Sequence, residues 1–265
     1  MHPRISVHEV TFPTHMDLAD VLDWTATHDI AQVGLFSLRH PGGWADAIAR
    51  VAASRTSVAY ICQASMFVLE DPASWNASRV AINATLDAAA EMSCGIVYAT
   101  TGPIGTLDFD AGVAALASAV APVLAHAADR GVRLLTETAG PVFHFTHFLH
   151  TFQDTIDACA ETGLGLVLDL HPTWHERDIR AKIAAVAPHI GLVQVSDYIP
   201  RNMTANRDIV GEGVIPIESL LGTLFEAGYD RAVDLELYGR PSDTALDDIL
   251  RSAERLTVIL DRLGV

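Results

Sequence analysis

The chain alternates between two hydrophobic patterns along its whole length. Short and nearly continuous apolar runs recur at residues 5–13, 30–37, 56–64, 95–102, 132–140, 164–172, 190–198 and 232–239. Between them, in stretches such as 110–130 and 146–162, apolar residues recur every three or four positions, which is the period of an amphipathic helix. Gly131, Gly163 and Gly228 follow such stretches and predict helix ends. Because unbroken apolar runs are typical of parallel strands buried on both faces, the pattern predicts a sheet covered by helices.

The number and order of these elements predict one fold class. Eight units of strand followed by helix in 265 residues match an α/β (β/α)₈ TIM barrel. An open, doubly wound sheet is the structural alternative, but the first predicted strand is not followed by the GxGxxG motif of a dinucleotide-binding fold. Neither a linker nor a low-complexity segment divides the chain, so we expect residues 1–265 to form a single domain.

Composition narrows the classes of partner. The net charge of −16, from 17 basic and 33 acidic residues, argues against nucleic acid or an anionic membrane as a partner and favours a small-molecule substrate. Cys62, Cys94 and Cys159 are odd in number and far apart, which predicts buried free thiols in a reducing compartment. A signal pattern is not found, and no apolar run approaches 18 residues, so we expect a cytoplasmic protein. The oligomeric state stays open, a homo-oligomer included.

Four successive predicted strands end in a carboxylate or a carboxamide: Glu137, Asp169, Gln194 and Glu236. A carboxylate in a strand rich in Val and Leu is costly unless it is paired. In TIM barrels the active site lies at the C-terminal ends of the strands, where these side chains would meet. Three converging carboxylates repel one another, and a divalent cation would remove that repulsion. Oxygen ligands suit hard ions, so we predict one metal ion, with Mn²⁺ or Mg²⁺ favoured over Zn²⁺.

Most of the sequence resembles the xylose-isomerase-like superfamily of TIM barrels, the sugar phosphate isomerase/epimerase family. The resemblance is strongest over residues 163–239 and is carried by Glu137, Asp169, Asp197, the RDIVGEG segment at 207–213, the GYD segment at 228–230 and Glu236. It implies a barrel with one divalent ion bound by a glutamate, an aspartate, a histidine and a glutamate on strands five to eight. It also implies that the two glutamates act as acid and base.

Two positions depart from the family pattern. Gln194 stands where the family has the metal-binding histidine of strand seven. Its neutral carbonyl can still bind a hard ion but is a poor ligand for Zn²⁺. Pro172 stands where the family often has a histidine three residues after the strand-six aspartate. His171 and His175 flank it, so either histidine is a candidate to reach the site.

The residues predict a reaction class. Removing a proton next to a carbonyl group needs a base, together with an electrophile such as a metal ion to hold the enolate oxygen. Glu137 and Glu236 would face each other across the barrel mouth, and we predict that they are the catalytic pair. The first interpretation is a metal-dependent isomerase or epimerase of carbohydrate metabolism that acts on a small polyhydroxylated carbonyl compound.

Other reactions stay open. The same enolate could expel a β-hydroxyl group, which would make the protein a dehydratase or lyase acting on a cyclic hydroxyketone such as an inosose. A deglycosylating enzyme and a non-catalytic barrel with a decayed metal site are further alternatives. An endonuclease is disfavoured, because the chain lacks a basic face for DNA.

The candidates for substrate contact are Arg207, His171, His175, Asp197, His144 and Trp174. For Arg207 the alternative is a structural salt bridge, and for Trp174 it is core packing. His144, His147 and His150 fall in the stretch 144–150 and are expected to be surface or capping residues, with His144 the one placed to touch substrate. Met66 and Phe67 follow the third strand and belong either to a lid or to the core.

Overall fold

A computed structural model describes residues 1–64, 67–202 and 206–265 and contains a closed barrel of parallel strands. Each strand pairs with the next, and the eighth closes on the first. The strands are β1 Ile5–His8, β2 Gln32–Phe36, β3 Ser57–Gln63, β4 Ile96–Ala99, β5 Arg133–Glu137, β6 Gly165–Asp169, β7 Ile190–Val195 and β8 Val233–Leu235. All eight predicted strands are present, and the prediction of a (β/α)₈ TIM barrel is confirmed.

Helices connect the strands and cover the barrel. They are α1 Leu18–Thr27, α2 Ala45–Ala53, α3 Trp75–Glu91, α4 Phe109–Asp129, α5 Phe152–Thr162, α6 Leu170–Thr173, α7 Ile179–Val186, α8 Ile217–Glu226 and α9 Ala245–Leu263. The predicted helix ends at Gly131, Gly163 and Gly228 are confirmed: the three glycines have φ angles of +68°, +80° and +94°. Glycine adopts this left-handed backbone without the steric cost that a side chain would bring.

One predicted helix begins later than expected. The pattern predicts helix from residue 146, but α5 begins at Phe152. The Thr151 side chain accepts a hydrogen bond from the backbone N–H of Asp154 and caps the helix there. Phe148 and Leu149 are buried in the core although they lie in a loop. Their apolar spacing therefore reflects a loop packed onto the barrel.

The barrel has two separate cores. The larger core lies mainly between strands and helices. The smaller one is formed by Tyr60, Cys62, Ile96, Tyr98, Leu135, Val167 and Leu192. Cys62, Cys94 and Cys159 are free and buried, as predicted.

The expectation that no apolar run approaches 18 residues is wrong for α4. This helix is long and apolar enough to cross a membrane by length and composition, with a mean hydropathy of 1.7. Its buried residues include Val113, Leu116, Val120 and Val123, and it contacts α3 and α5 in the helix ring. Its apolar character therefore serves packing against the barrel.

Candidate active site

The predicted ligands, three acids and one glutamine, lie on one rim of the barrel. Glu137 and Asp169 are the last residues of β5 and β6, Gln194 is the last but one of β7, and Glu236 follows β8 directly. Asp169 lies opposite Gln194 in the strand register. Asp169 and Gln194 are buried, whereas the side chains of Glu137 and Glu236 keep 16% and 13% of their surface exposed. The two glutamates are therefore the acids that a molecule at the barrel mouth could touch.

The guanidinium group of Arg207 lies among these carboxylates. Its Nη1 is 2.9 Å from Oδ1 of Asp169 and its Nη2 is 2.5 Å from Oδ2, which makes a two-point ion pair. Nη2 is also 3.4 Å from Oε2 of Glu236. The Arg207 side chain is only 10% exposed. The salt bridge considered for this residue is therefore formed.

The loop after β7 holds Arg207 in place. Asp197 and Asp208 form an isolated antiparallel bridge, with both N···O distances at 2.8 Å. The backbone N–H of Arg207 donates to the carbonyl oxygen of Tyr238 at 3.1 Å. These contacts hold the main chain on both sides of the Arg207 Cα atom, so the position from which the arginine side chain extends is fixed.

Asp197 organises this loop. Its carboxylate accepts hydrogen bonds from the backbone N–H groups of Tyr198, Gly211 and Ile215 at 2.8–3.0 Å, and it is buried. A Cβ atom on Gly213 would lie 2.2 Å from Oδ1 of Asp197, so only glycine fits there. Asp197, a candidate for substrate contact, therefore stabilises the conformation of this loop. We call Asp197 together with the RDIVGEG segment at 207–213 the loop clamp.

The charges at the rim shift one another's ionisation. Burial, together with the negative charges of Glu236 and Asp169, raises the pKa of Glu137 well above its ordinary value. Burial also raises the pKa of Glu236 to about 7, against the opposing effect of Arg207. Burial disfavours the charged form of Arg207, but attraction to Asp169 and Glu236 outweighs it and raises the pKa of the guanidinium. One of the glutamates can thus hold a proton while the other accepts one.

Beneath the rim, inside the barrel, lies a group of polar side chains formed by Ser6, Tyr60 and Asp234, which the sequence pattern did not identify. Asp234 of β8 accepts hydrogen bonds from Ser6 at 2.6 Å and from Tyr60 at 2.7 Å. Burial raises the pKa of Asp234 to about 8, and its contacts with Ser6, Tyr60 and Gln194 oppose this. The amide of Gln194 makes no hydrogen bond of good geometry within the described residues. Asp234 precedes Glu236 by two positions, so strand periodicity alone could have placed both on one face.

The other predicted contact residues divide into two groups. His171 is brought to the site: its backbone N–H donates to Oδ1 of Asp169 at 3.0 Å, and within the described residues its Nε2 has no hydrogen-bond partner. His175 and His144 are exposed, and the half-buried Trp174 packs against the core. The core alternative therefore describes Trp174.

The position of His147 differs from the one expected from the sequence. It was predicted to be a surface or capping residue, but it is 1% exposed. Its Nδ1 lies 3.1 Å from the hydroxyl of Thr101, and its Nε2 lies 3.9 Å from Oε1 of Glu137. Burial lowers the pKa of His147 to about 3, which keeps a neutral imidazole beside Glu137. Phe67 is buried in the core, and Met66 lies outside the described residues.

One of the predicted metal ligands, Asp169, is paired with an arginine in this arrangement. Within the described residues, no group of three or more His, Cys, Asp or Glu side chains is gathered as a set of ligands. Both oxygens of Asp169 are held by Arg207. A divalent ion bound to Asp169 would lie close to the guanidinium and would compete with it for that carboxylate. The carboxylates are arranged around a cation that the chain itself supplies.

Comparison with known proteins identifies the family of the chain. The family model for the xylose isomerase-like TIM barrel matches residues 24–257. No curated protein matches the chain.

Solved structures share the fold. Protein SMc04130 from Sinorhizobium meliloti 1021 has a TM-score of 0.85 at 21% identity, covering 95% of this chain and 98% of its own. The IolI protein with a bound zinc atom has a TM-score of 0.83 at 16% identity, covering 98% and 99%. D-Psicose 3-epimerase with D-tagatose, from Clostridium cellulolyticum H10, has a TM-score of 0.80 at 14% identity, covering 97% and 99%. Because the family model spans most of the sequence, the chain belongs to the xylose isomerase-like TIM barrel family.

Proposed function

We propose that the protein is an isomerase or epimerase that acts on a small polyhydroxylated carbonyl compound through an enolate. The observation that carries the proposal is a pair of partly exposed glutamates, Glu137 and Glu236, at the barrel mouth around the buried Arg207 guanidinium. The fold shared with D-psicose 3-epimerase supports the substrate class.

The reaction needs two carboxyl groups with separate tasks. One glutamate removes the hydrogen on the carbon next to the carbonyl group as a proton, and the C–H electron pair becomes the C=C bond of an enolate. The carbonyl electrons move onto oxygen, where a nearby positive charge stabilises them. The other glutamate, as a carboxylic acid, returns a proton to carbon. Glu137 and Glu236 are the acids placed for these tasks.

A cation at the enolate oxygen has two possible sources. The zinc atom bound to the IolI protein supports a divalent ion on Glu137, Asp169, Gln194 and Glu236, where oxygen ligands would favour Mn²⁺ or Mg²⁺. The ion pair between Arg207 and Asp169 supports the second source, which is the chain itself.

The charge of the rim favours an uncharged substrate. Asp169, Glu137 and Glu236 face a single guanidinium group. Even with one glutamate protonated the rim carries a net negative charge, so a substrate with a carboxylate or phosphate would be repelled. A ketose or a cyclic hydroxyketone meets this condition. On the cyclic hydroxyketone the same enolate could lose a β-hydroxyl group as water, so the products distinguish an epimerase from a dehydratase.

Turnover of a panel of ketoses and inososes, followed by NMR of the products, tests the proposal. We expect Glu137→Gln and Glu236→Gln to lower the rate by about 10²–10⁴-fold, because each removes a general acid or base. Glu161→Gln is the matched control: Glu161 is exposed near the end of α5, next to the start of β6, and should keep the wild-type rate. Folded variants of both rim glutamates that turn over as fast as this control would refute the proposal.

A further inference from the structure

The Arg207–Asp169 pair raises the question of which cation this barrel uses. Arg207 is 10% exposed and Asp169 is 1% exposed at the side chain. An ion that shared this carboxylate would sit against the positive charge of Arg207, and an ion that displaced Arg207 from it would leave the guanidinium buried without its main partner. Breaking a buried pair in this way is strongly unfavourable, because it leaves an uncompensated charge in a poorly hydrated place.

A second feature is independent of the arginine. Strand β7 presents Gln194 rather than an ionisable or imidazole ligand, and its amide faces Asp234 across the β7–β8 register. Carboxamide oxygen is a weaker and less selective metal ligand than imidazole for ions such as Zn²⁺ or Co²⁺. The same rim thus holds a fixed cation and carries an uncharged amide at the seventh strand.

We propose that the guanidinium group of Arg207 takes the place of a divalent ion at the barrel mouth, so that the site works without a bound metal. The assignment rests on the proposed function for the identity of the oxygen that the cation stabilises. It does not rest on that function for the exclusion of the metal.

The guanidinium group has donors to spare for this role. It carries five N–H groups, and Asp169 takes one from Nη1 and one from Nη2. Nη2 also faces Glu236 at 3.4 Å, a separation too long for a strong hydrogen bond. A carbonyl oxygen bound beside Glu236 could accept from Nη2, and when Glu236 or Glu137 removes the α-proton, the negative charge that develops on that oxygen would lie against the guanidinium.

The support around Arg207 suits a permanent cation. Its main chain is fixed by the Asp197–Asp208 bridge and by the carbonyl of Tyr238. Nη1 also lies 3.4 Å from the hydroxyl of Ser196. A group held at both its main chain and its side chain is preorganised, which is what stabilisation of a developing charge requires.

Titration of the purified protein with MnCl₂ after treatment with a chelator tests the proposal and needs no substrate. By calorimetry, we expect the wild-type chain to bind Mn²⁺ with a Kd weaker than about 1 mM, which is the weak end of the range for calcium-binding modules with oxygen ligands. Gln194→His alone should remain as weak, because Arg207 is still present. The double variant Gln194→His, Arg207→Met should bind at least ~100-fold more tightly, since the repelling charge is removed.

Three results would overturn the proposal: tight binding of one Mn²⁺ by the wild type, tight binding by Gln194→His alone, or a folded double variant that binds no better than the wild type. If the double variant does not fold, the wild type and Gln194→His decide between the outcomes. The proposed function fails separately: a protein that excludes Mn²⁺ but never processes a hydroxycarbonyl compound would retain this inference and lose the other.

Discussion

Replacing Arg207 with methionine should destabilise the protein more than any change to a surface ion pair. Methionine keeps an unbranched apolar stem but removes the guanidinium. Asp169, at 1% exposure, then loses both charged hydrogen bonds and, among the described residues, its carboxylate keeps only the N–H of His171. Removing one partner of a buried pair costs about 3–5 kcal/mol, a large share of the roughly 5–15 kcal/mol that holds a domain folded. For a chain of this size the midpoint of thermal unfolding should fall by roughly 6–20 °C.

Urea unfolding at neutral pH measures this loss, with Arg251→Met as the matched control. Arg251 pairs with Glu212 and Asp248 but is 50% exposed, and exposed pairs contribute at most about 1 kcal/mol. Adding Asp169→Asn to Arg207→Met removes the stranded charge and should recover part of the loss. Equal losses in the free energy of unfolding for Arg207→Met and Arg251→Met would contradict this prediction.

Two further predictions concern the loop clamp and the barrel interior. Gly213→Ala places a Cβ atom 2.2 Å from Oδ1 of Asp197 and should lower the free energy of unfolding by about 1–3 kcal/mol. Gly95→Ala is the control and should leave that free energy unchanged, because a Cβ atom there meets nothing within 4 Å. Equal urea midpoints for the two variants would contradict the prediction. Burial, Arg207 and Arg39 lower the pKa of His8 from 6.5 to about 3, so the folded state holds it neutral while the unfolded chain takes up a proton below pH 6.5. The stability that neutral His8 contributes is complete above pH 6.5 and is lost towards pH 3. Between pH 7 and pH 4.5 the wild type should therefore lose about 2.5 kcal/mol more stability than His8→Gln. Parallel pH profiles would count against this.

The barrel could be predicted from the sequence because its physics is local and repeated. Parallel strands covered on both faces must be apolar at nearly every position, and runs such as 164–172 and 190–198 show this directly. The strand ends were predicted too long, since β8 ends at Leu235 before Glu236 and Leu237. The positions of Glu137 and Asp169 at strand ends followed from the same pattern.

The rim charges could be predicted only in part. The sequence left Arg207 between a substrate contact and a salt bridge, because its partner Asp169 lies 38 residues away and nothing local indicates the direction of a long side chain. The start of α5 was missed because Phe148 and Leu149 imitate a helical spacing while packing from a loop. The burial of His147 depends on its contact with Thr101, 46 residues away. Such contacts are tertiary, so residue type and spacing do not reveal them.

In the proposed reaction the two rim glutamates exchange a proton on the carbon next to a carbonyl group. NMR of a ketose or inosose incubated in D₂O, with and without added MnCl₂, measures that exchange without any assumption about the product. We expect deuterium to replace the hydrogen on the α-carbon with the wild-type chain, and we expect Glu137→Gln and Glu236→Gln to slow the replacement by about 10²–10⁴-fold. A wild-type protein that leaves the α-hydrogen in place under both conditions, or glutamine variants that exchange it at the wild-type rate, would contradict the claim.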